Sequence, residues 1–205
     1  MNTKYHWEHV YETKSRDSVS WYTPHLTRSL QLIDRIRGDA IEPHVIDIGA
    51  GQSTLVEDLL DRGLNQLTVL DISDKAIHET QTRLRERSSS VHWVVSDILT
   101  TSFPPHSFDI WHDRVVFHFL TQSEERSKYV EQLKHALKPS GYVIIATFGP
   151  EGPLKCSGLP VCRYDVSALM AEFGTSFELK EHVMEWHETP TAASQQFLYV
   201  VMQMK

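Results

Sequence analysis

Cysteine is nearly absent from this chain, whose 205 residues carry only Cys156 and Cys162. Two thiols cannot build a disulfide framework or a four-thiolate zinc site, and their scarcity agrees with a reducing compartment. Long apolar runs are missing, so no segment reads as a membrane span. The stretch from Met1 to Lys14 is polar and charged, without the apolar segment of a secretory signal or the acid-poor composition of a transit peptide. The expected localisation is therefore cytoplasmic. Basic residues are outnumbered, with 20 Lys and Arg against 27 Asp and Glu for a formal charge of −7. Nucleic-acid binders need a basic face. The one dense basic stretch here, Arg83 to Arg87, contains Glu86 and reads as a solvated helix face, so a nucleic-acid substrate is disfavoured. Histidine is plentiful at 12, but the pairs His6/His9 and His182/His187 match no zinc-hydrolase spacing, and no metal is expected.

What is present is an alternation of short apolar runs with helix-period segments, which predicts an α/β fold with a mostly parallel sheet. Strands are expected at Val45–Ile48, Leu67–Leu70, Val91–Val95, Phe108–Trp111 and Tyr142–Ala146, with a closing hairpin of Phe177–Val183 and Phe197–Met202. Between them fall helices with inward faces Leu55/Val56/Leu59/Leu60, Ala76/Ile77/Thr80/Leu84, Val130/Leu133/Leu137 and Val166/Leu169/Met170/Phe173. Ser73 and Asp165 are placed to cap two of them, Gly63 to end one, and Pro139-Ser140-Gly141 to stop another. The result is a Rossmann-like, seven-stranded sheet, mostly parallel with an antiparallel last strand and helices on both faces. The chain length fits a single domain over 1–205, divided into an N-terminal helical lid (1–40) and a Rossmann-like core (41–205). The lid, with a helix using Leu26, Leu30, Ile33 and Ile36, is expected over the sheet's carboxyl edge, where such folds bind ligands.

The most informative segment is VIDIGAGQSTL, from Val45 to Leu55. Gly49, Ala50 and Gly51 follow a buried strand and let the backbone turn sharply beside a ligand. Nicotinamide enzymes use such a loop too, but their pattern wants a third glycine where this chain has Thr54. Their pyrophosphate also disfavours an acid at the mouth, where Asp47 stands. An aminoacyl sulfonium suits Asp47 better. Asp71, 22 residues beyond Gly49, ends the second strand beside Ile72 and can take both hydroxyls of a ribose. Asp97 ends the third strand and can accept from an adenine amino group, while Ile98 packs on the ring. Each acid alone is more often a cap or turn residue; three at successive strand ends point to a nucleoside.

Residues 45–148, through the glycine loop, Asp71, Asp97 and the strand FDIWHD, resemble a class I S-adenosylmethionine (SAM)-dependent methyltransferase. In that family these positions hold the methionine part, the ribose and the adenine. The resemblance implies SAM as cofactor and a methyl acceptor as the second substrate. A narrower resemblance lies upstream. His6-Trp7-Glu8-His9-Val10-Tyr11 followed by Ser20-Trp21-Tyr22 is similar to the opening of small lysine methyltransferases that act on elongation factor 1A and on citrate synthase. By that resemblance Trp7, Tyr11 and Trp21 line the cofactor pocket; otherwise they are core aromatics of an amphipathic helix.

The reacting centre is expected after the fourth strand, at His112, Asp113, Arg114 and His118. Asp113 can face the cofactor's ammonium or an acceptor amine; the resemblance to the lysine methyltransferases, which carry an acidic and a basic residue at this pair of positions, implies Arg114 as the cofactor contact; and His118 has a suitable unperturbed pKa for removing a proton. The preferred reading of His118, however, is a satisfied, partly buried histidine among Phe117, Phe119 and Leu120. The chain lacks the Asp/Asn-Pro-Pro-aromatic run of base-amino methyltransferases and the thiolate of cytosine-C5 enzymes near that strand. Cys156 and Cys162 fall on the acceptor side and can suit a soft substrate such as arsenite, although arsenite methyltransferases carry more cysteines. The expected function is methyl transfer to a protein lysine or a small molecule. The alternatives are a non-catalytic SAM-binding scaffold and a nicotinamide oxidoreductase.

Overall fold

The computed structural model describes residues 3–38 and 42–205. Two helices, α1 (Thr3–Thr13) and α2 (Thr27–Arg37), come first, joined through a 3-10 turn at Arg16–Ser18. Strands and helices then alternate as β1 (Val45–Ile48), α3 (Leu55–Asp61), β2 (Leu67–Asp71), α4 (Asp74–Leu84), β3 (Val91–Val95) and β4 (Phe108–Arg114). The chain continues with α5 (Ser123–Ala136), β5 (Leu137–Phe148), a small hairpin of β6 (Lys155–Cys156) and β7 (Leu159–Pro160), then α6 (Val166–Phe173), β8 (Phe177–Glu188) and β9 (Ser194–Met204). Seven strands form one sheet in the order β3-β2-β1-β4-β5-β9-β8, with β9 antiparallel to both neighbours.

Period-two alternation distributes each strand between two cores. Along β1, Val45 faces the cluster built with Leu30, Ile33, Leu55, Leu59 and Ile77, so α2, α3 and α4 cover that face. Ile46 and Ile48 face the other, with Tyr129, Leu133, Leu169 and Phe173 of α5 and α6. The chain runs outward from β1 to β3 and returns to β4 on the other side of β1. The loops leaving β1 and β4 therefore diverge and open a crevice at their carboxyl ends. The predicted caps form: Ser73 Oγ accepts from Ala76 N at 3.1 Å, Asp165 Oδ1 accepts from Ala168 N at 2.8 Å, and Gly63 follows α3 at φ 78°.

Three local expectations need correction. Helix α5 stops at Ala136, and Leu137 already pairs with Phe108 as the first residue of β5. The Pro139-Ser140-Gly141 segment does not break a helix; it lies in a bulge where the β4–β5 register shifts, which removes the need for a Pro139 N–H. The loop after β5 contains the β6–β7 hairpin, turned by Ser157 and Gly158 at positive φ. Helix α2 is a layer of the sheet face and not a cover for the edge; that role falls to α1 and the segment down to Trp21. The expected boundary between residues 40 and 41 lies outside the described residues. Among the described residues no helix is long and apolar enough to cross a membrane.

Candidate active site

The turn after β1 places Gly49 at φ 62° and Gly51 at φ 56°, a region costly for L side chains. Gly49 N and Ala50 N both donate to Leu70 O, at 2.7 and 3.2 Å, which fixes the turn against β2. A Cβ on Gly49 would lie 2.0 Å from Val116 Cγ2, and one on Gly51 would lie 2.5 Å from the Tyr11 hydroxyl. Gly51 is thus covered by α1. Thr54 adds a second tie to the N-terminal region, donating to Pro24 O at 2.7 Å.

The three acids at the strand ends each hold part of this frame. Asp47 Oδ1 accepts from His112 Nδ1 at 2.7 Å, and His112 Nε2 lies 2.8 Å from Ser29 Oγ. All three residues are buried, so α2, β1 and β4 meet in one Ser-His-Asp chain. Asp71 accepts from Gly51 N at 2.7 Å and from Ser73 N at 2.8 Å. Burial pushes its carboxyl up to about 6, against the pull of these two donors. Asp97 Oδ1 accepts from Leu99 N at 2.9 Å. Both Asp71 and Asp97 line the crevice, and a carboxylate has lone pairs beyond those these amides use.

Helix α1 is held by Glu8, whose carboxylate accepts from Ser73 Oγ at 2.7 Å, Asp74 N at 2.8 Å and Lys75 N at 3.2 Å. An acid on the unpaired amides and positive end of α4 is favourable. Sequence reasoning missed Glu8 because its partners lie 65 to 67 residues away. Trp7 then sits with its ring centroid 6.2 Å from Tyr11, 5.8 Å from Trp21 and 5.2 Å from Phe119. Tyr11 is buried, and Trp7 and Trp21 are half-buried. Phe119, in the turn after β4, is the ring that the sequence did not single out for the site.

The end of β4 separates the expected reacting groups by strand alternation. His112 and Arg114 point to the α2 side, and Asp113 to the α5 side. Asp113 accepts from Tyr129 Oη at 2.6 Å, Val116 N at 2.9 Å and Phe117 N at 3.1 Å, and is fully buried outside the crevice. His118 is fully buried too; its Nδ1 accepts from Phe148 N at 3.4 Å, and burial, with the charge of Arg114, lowers its pKa to about 3. Neither residue lines the crevice, so the expectation that Asp113 and His118 face an acceptor is corrected. Val115, β-branched and at φ 69°, makes the sharp exit that leaves Arg114 on the wall and Val116 beneath Gly49. Such a conformation costs on the order of 1–3 kcal/mol and is held only by surrounding packing.

These elements enclose a cavity with about 1200 Å³ of empty space, its open mouth included. Crossing the strand ends, its wall passes from Asp97 and Ile98 through Asp71 and Ile72, Asp47, Gly49 and Ala50, to Arg114. Trp7, Tyr11, Trp21, Phe119 and Cys156 close it from above and beside. A smaller cavity lies beyond Tyr11 and Trp21, with Arg16, Gln52 and Arg114 on its wall.

The Methyltransferase domain family matches residues 46–145, the span that carries the glycine turn and the first five strands. Human EEF1A lysine methyltransferase 2 is 24% identical over 196 residues, covering 89% of this chain and 77% of the relative. A malonyl-acyl-carrier protein O-methyltransferase from Paenibacillus is 30% identical over 118 residues; the match takes in 56% of this chain and 42% of that protein's length. The solved structure of the N-methyltransferase NodS from Bradyrhizobium japonicum, in complex with S-adenosyl-L-homocysteine, superposes with a TM-score of 0.74 at 16% identity, covering 97% of this chain and 98% of that one. The chain is a class I SAM-dependent methyltransferase. Within that class it resembles the lysine methyltransferases of EEF1A.

Proposed function

We propose that SAM lies along the strand ends in the large cavity and that its methyl group passes to a small molecule or a protein lysine. One observation carries this reading: the acids Asp97, Asp71 and Asp47 and the glycine turn follow one another across β3, β2 and β1 on one wall. Asp97 and Ile98 take the adenine, Asp71 and Ile72 the ribose, and Gly49 and Ala50 the aminoacyl end. Gly51 acts by seating Tyr11, and Asp47, shared with His112, faces the cofactor's cationic end. When bound, SAM supplies an electrophilic methyl on a sulfonium. The chain's part is to orient the donor, align the acceptor and exclude water beneath Trp7, Tyr11 and Trp21. The human relative supports a lysine acceptor, and the Paenibacillus relative supports a small or carrier-bound one. We place the protein in the cytoplasm, as one domain with an N-terminal lid.

Calorimetry with SAM and with NAD tests the cofactor. Asp71→Ala should weaken SAM binding at least about tenfold, because a hydrogen bond to a charged group contributes roughly 1.5–3 kcal/mol. A smaller loss means that Asp71 serves only Gly51 and Ser73. Gly51→Val should keep a cooperative melt and lower SAM affinity, since the new side chain meets Tyr11 and not the strand. Unchanged affinity in the folded variant removes Tyr11 from the site.

A further inference from the structure

Arg114 is 8% exposed and lies on the cavity wall, yet among the described residues no carboxylate comes within ion-pair distance of it. Its partners are neutral: Nε donates to Tyr199 Oη at 3.1 Å, one terminal nitrogen donates to Trp21 O at 3.0 Å, and Cζ stands 4.8 Å over the Phe197 ring. The other terminal nitrogen makes no hydrogen bond among the described residues. Buried cations are ordinarily paired, because taking the charge out of water is costly. This one is held rigidly by β9 and by the segment before α2, with its unpaired edge left for something else.

The surroundings say what. Among the described residues of the wall, Arg114 is the only Lys or Arg. The wall's carboxylates have partners elsewhere: Asp47 with His112, Asp71 with Gly51 and Ser73, Asp97 with Leu99, and Glu125 with Gln122. Asp47, Asp71 and Asp97 lie at the β1 to β3 end, and Arg114 lies toward β5 and β9. Arg16 and Arg114 both line the smaller cavity beside Gln52 and Ser53 of the glycine turn, and with Arg16 there to take the cofactor's own carboxylate, Arg114 is left for the acceptor. A protonated amine entering beside Arg114 would meet a like charge, with Asp113 sealed behind β4 and unable to answer it.

We propose that Arg114 is the acceptor anchor and that the acceptor is a carboxylate on a flat or apolar body, seated between the guanidinium and the rings of Trp7, Trp21 and Phe119. A planar guanidinium matches a carboxylate, and aromatic walls match an apolar body. The chemistry needs no base. One carboxylate oxygen bonds to the methyl carbon as the carbon–sulfur bond breaks, the bonding pair stays on sulfur, and the products are a methyl ester and S-adenosylhomocysteine with no proton moved. This inference rests on SAM occupying the large cavity.

The test separates the two. SAM binding to the wild type is measured first; its failure overturns the cofactor placement itself. With S-adenosylhomocysteine bound, melting temperature is then followed with benzoate and phenylacetate, and with benzylamine and benzamide. The carboxylates should raise it in the wild type, Arg114→Lys should keep part of the rise, and Arg114→Gln should lose it while SAM affinity stays within about threefold. Arg16→Gln should show the converse, a loss of SAM affinity. In a cell extract, methyl label from SAM should enter the anion-exchange-retained fraction and be released as methanol by mild alkali. A rise with benzylamine, no rise with either carboxylate, alkali-stable label, or loss of SAM binding in a folded Arg114→Gln each overturns the carboxylate assignment.

Discussion

A chain lacking residues 1–22 is expected to melt cooperatively and to bind SAM at least about a hundredfold more weakly. Both core clusters are assembled from residue 26 onward, with Trp21 only at the margin of one, so the sheet and its helices keep their packing. What the deletion removes is the cavity's cover: Trp7, Tyr11 and Trp21, together with the Glu8 contacts to Ser73, Asp74 and Lys75. Ring contacts with a cation contribute about 0.5–2 kcal/mol each, and two decades of affinity correspond to about 2.7 kcal/mol, so losing three rings suffices. Thermal melts and SAM titrations decide. An unfolded truncation makes the aromatics core residues, and a folded one with unchanged affinity ends the lid reading.

The second large effect belongs to Asp113, which the structure moves from the site to the scaffold. Asp113→Ala strands the Tyr129 hydroxyl and the amides of Val116 and Phe117, each buried or nearly so. Removing one member of a buried charged network costs about 3–5 kcal/mol, which for a domain of this size lowers the melting temperature by roughly 6–20 °C. The same residue carries a pH signature. Burial raises its carboxyl from 3.8 to about 6, and the hydrogen bonds from Tyr129 and Val116 pull against that shift. Since the folded state holds the proton more tightly than the unfolded chain, its contribution is complete below pH 3.8 and is lost as pH rises through about 6. The difference amounts to about 3 kcal/mol. Asp113→Asn should flatten the stability curve between pH 4 and 6 relative to the wild type; parallel curves would show that the group does not titrate there.

Much of the fold could be read from the chain because its strongest signals are local. Strand β1 is a short apolar run beside a two-glycine turn, Ser73 and Asp165 stand at caps, and β8 and β9 are neighbours in sequence. The end of α5 could not be read, because Leu137 suits a helix face as well as a strand and only its pairing with Phe108 decides. In the site, Asp47, Asp71 and Asp97 were legible from their spacing after strands. The orientation at β4 was not. His112, Asp113 and Arg114 look alike as a polar run, and which side each faces depends on the register with β1 and β5. Nor could Glu8, Ser29 and Phe119 be found, since each acts across a contact with no local pattern.

The contact between Ser20 O and His187 Nε2, at 2.9 Å, and the ion pair of Arg28 with Glu185 join stretches separated by 167 and 157 residues. Arg114 likewise depends on Tyr199. During synthesis on the ribosome, the early strands can pair as they emerge and Pro24 and Ser29 find Thr54 and His112, but Ser20 O and Arg28 wait for His187 and Glu185 until β8 follows. The nascent chain therefore carries an open, half-walled crevice through most of its translation. Competence to hold a cofactor arrives late and abruptly, with the C-terminal hairpin, so a ribosome stalled before β9 displays a nearly complete sheet that cannot yet close over a ligand.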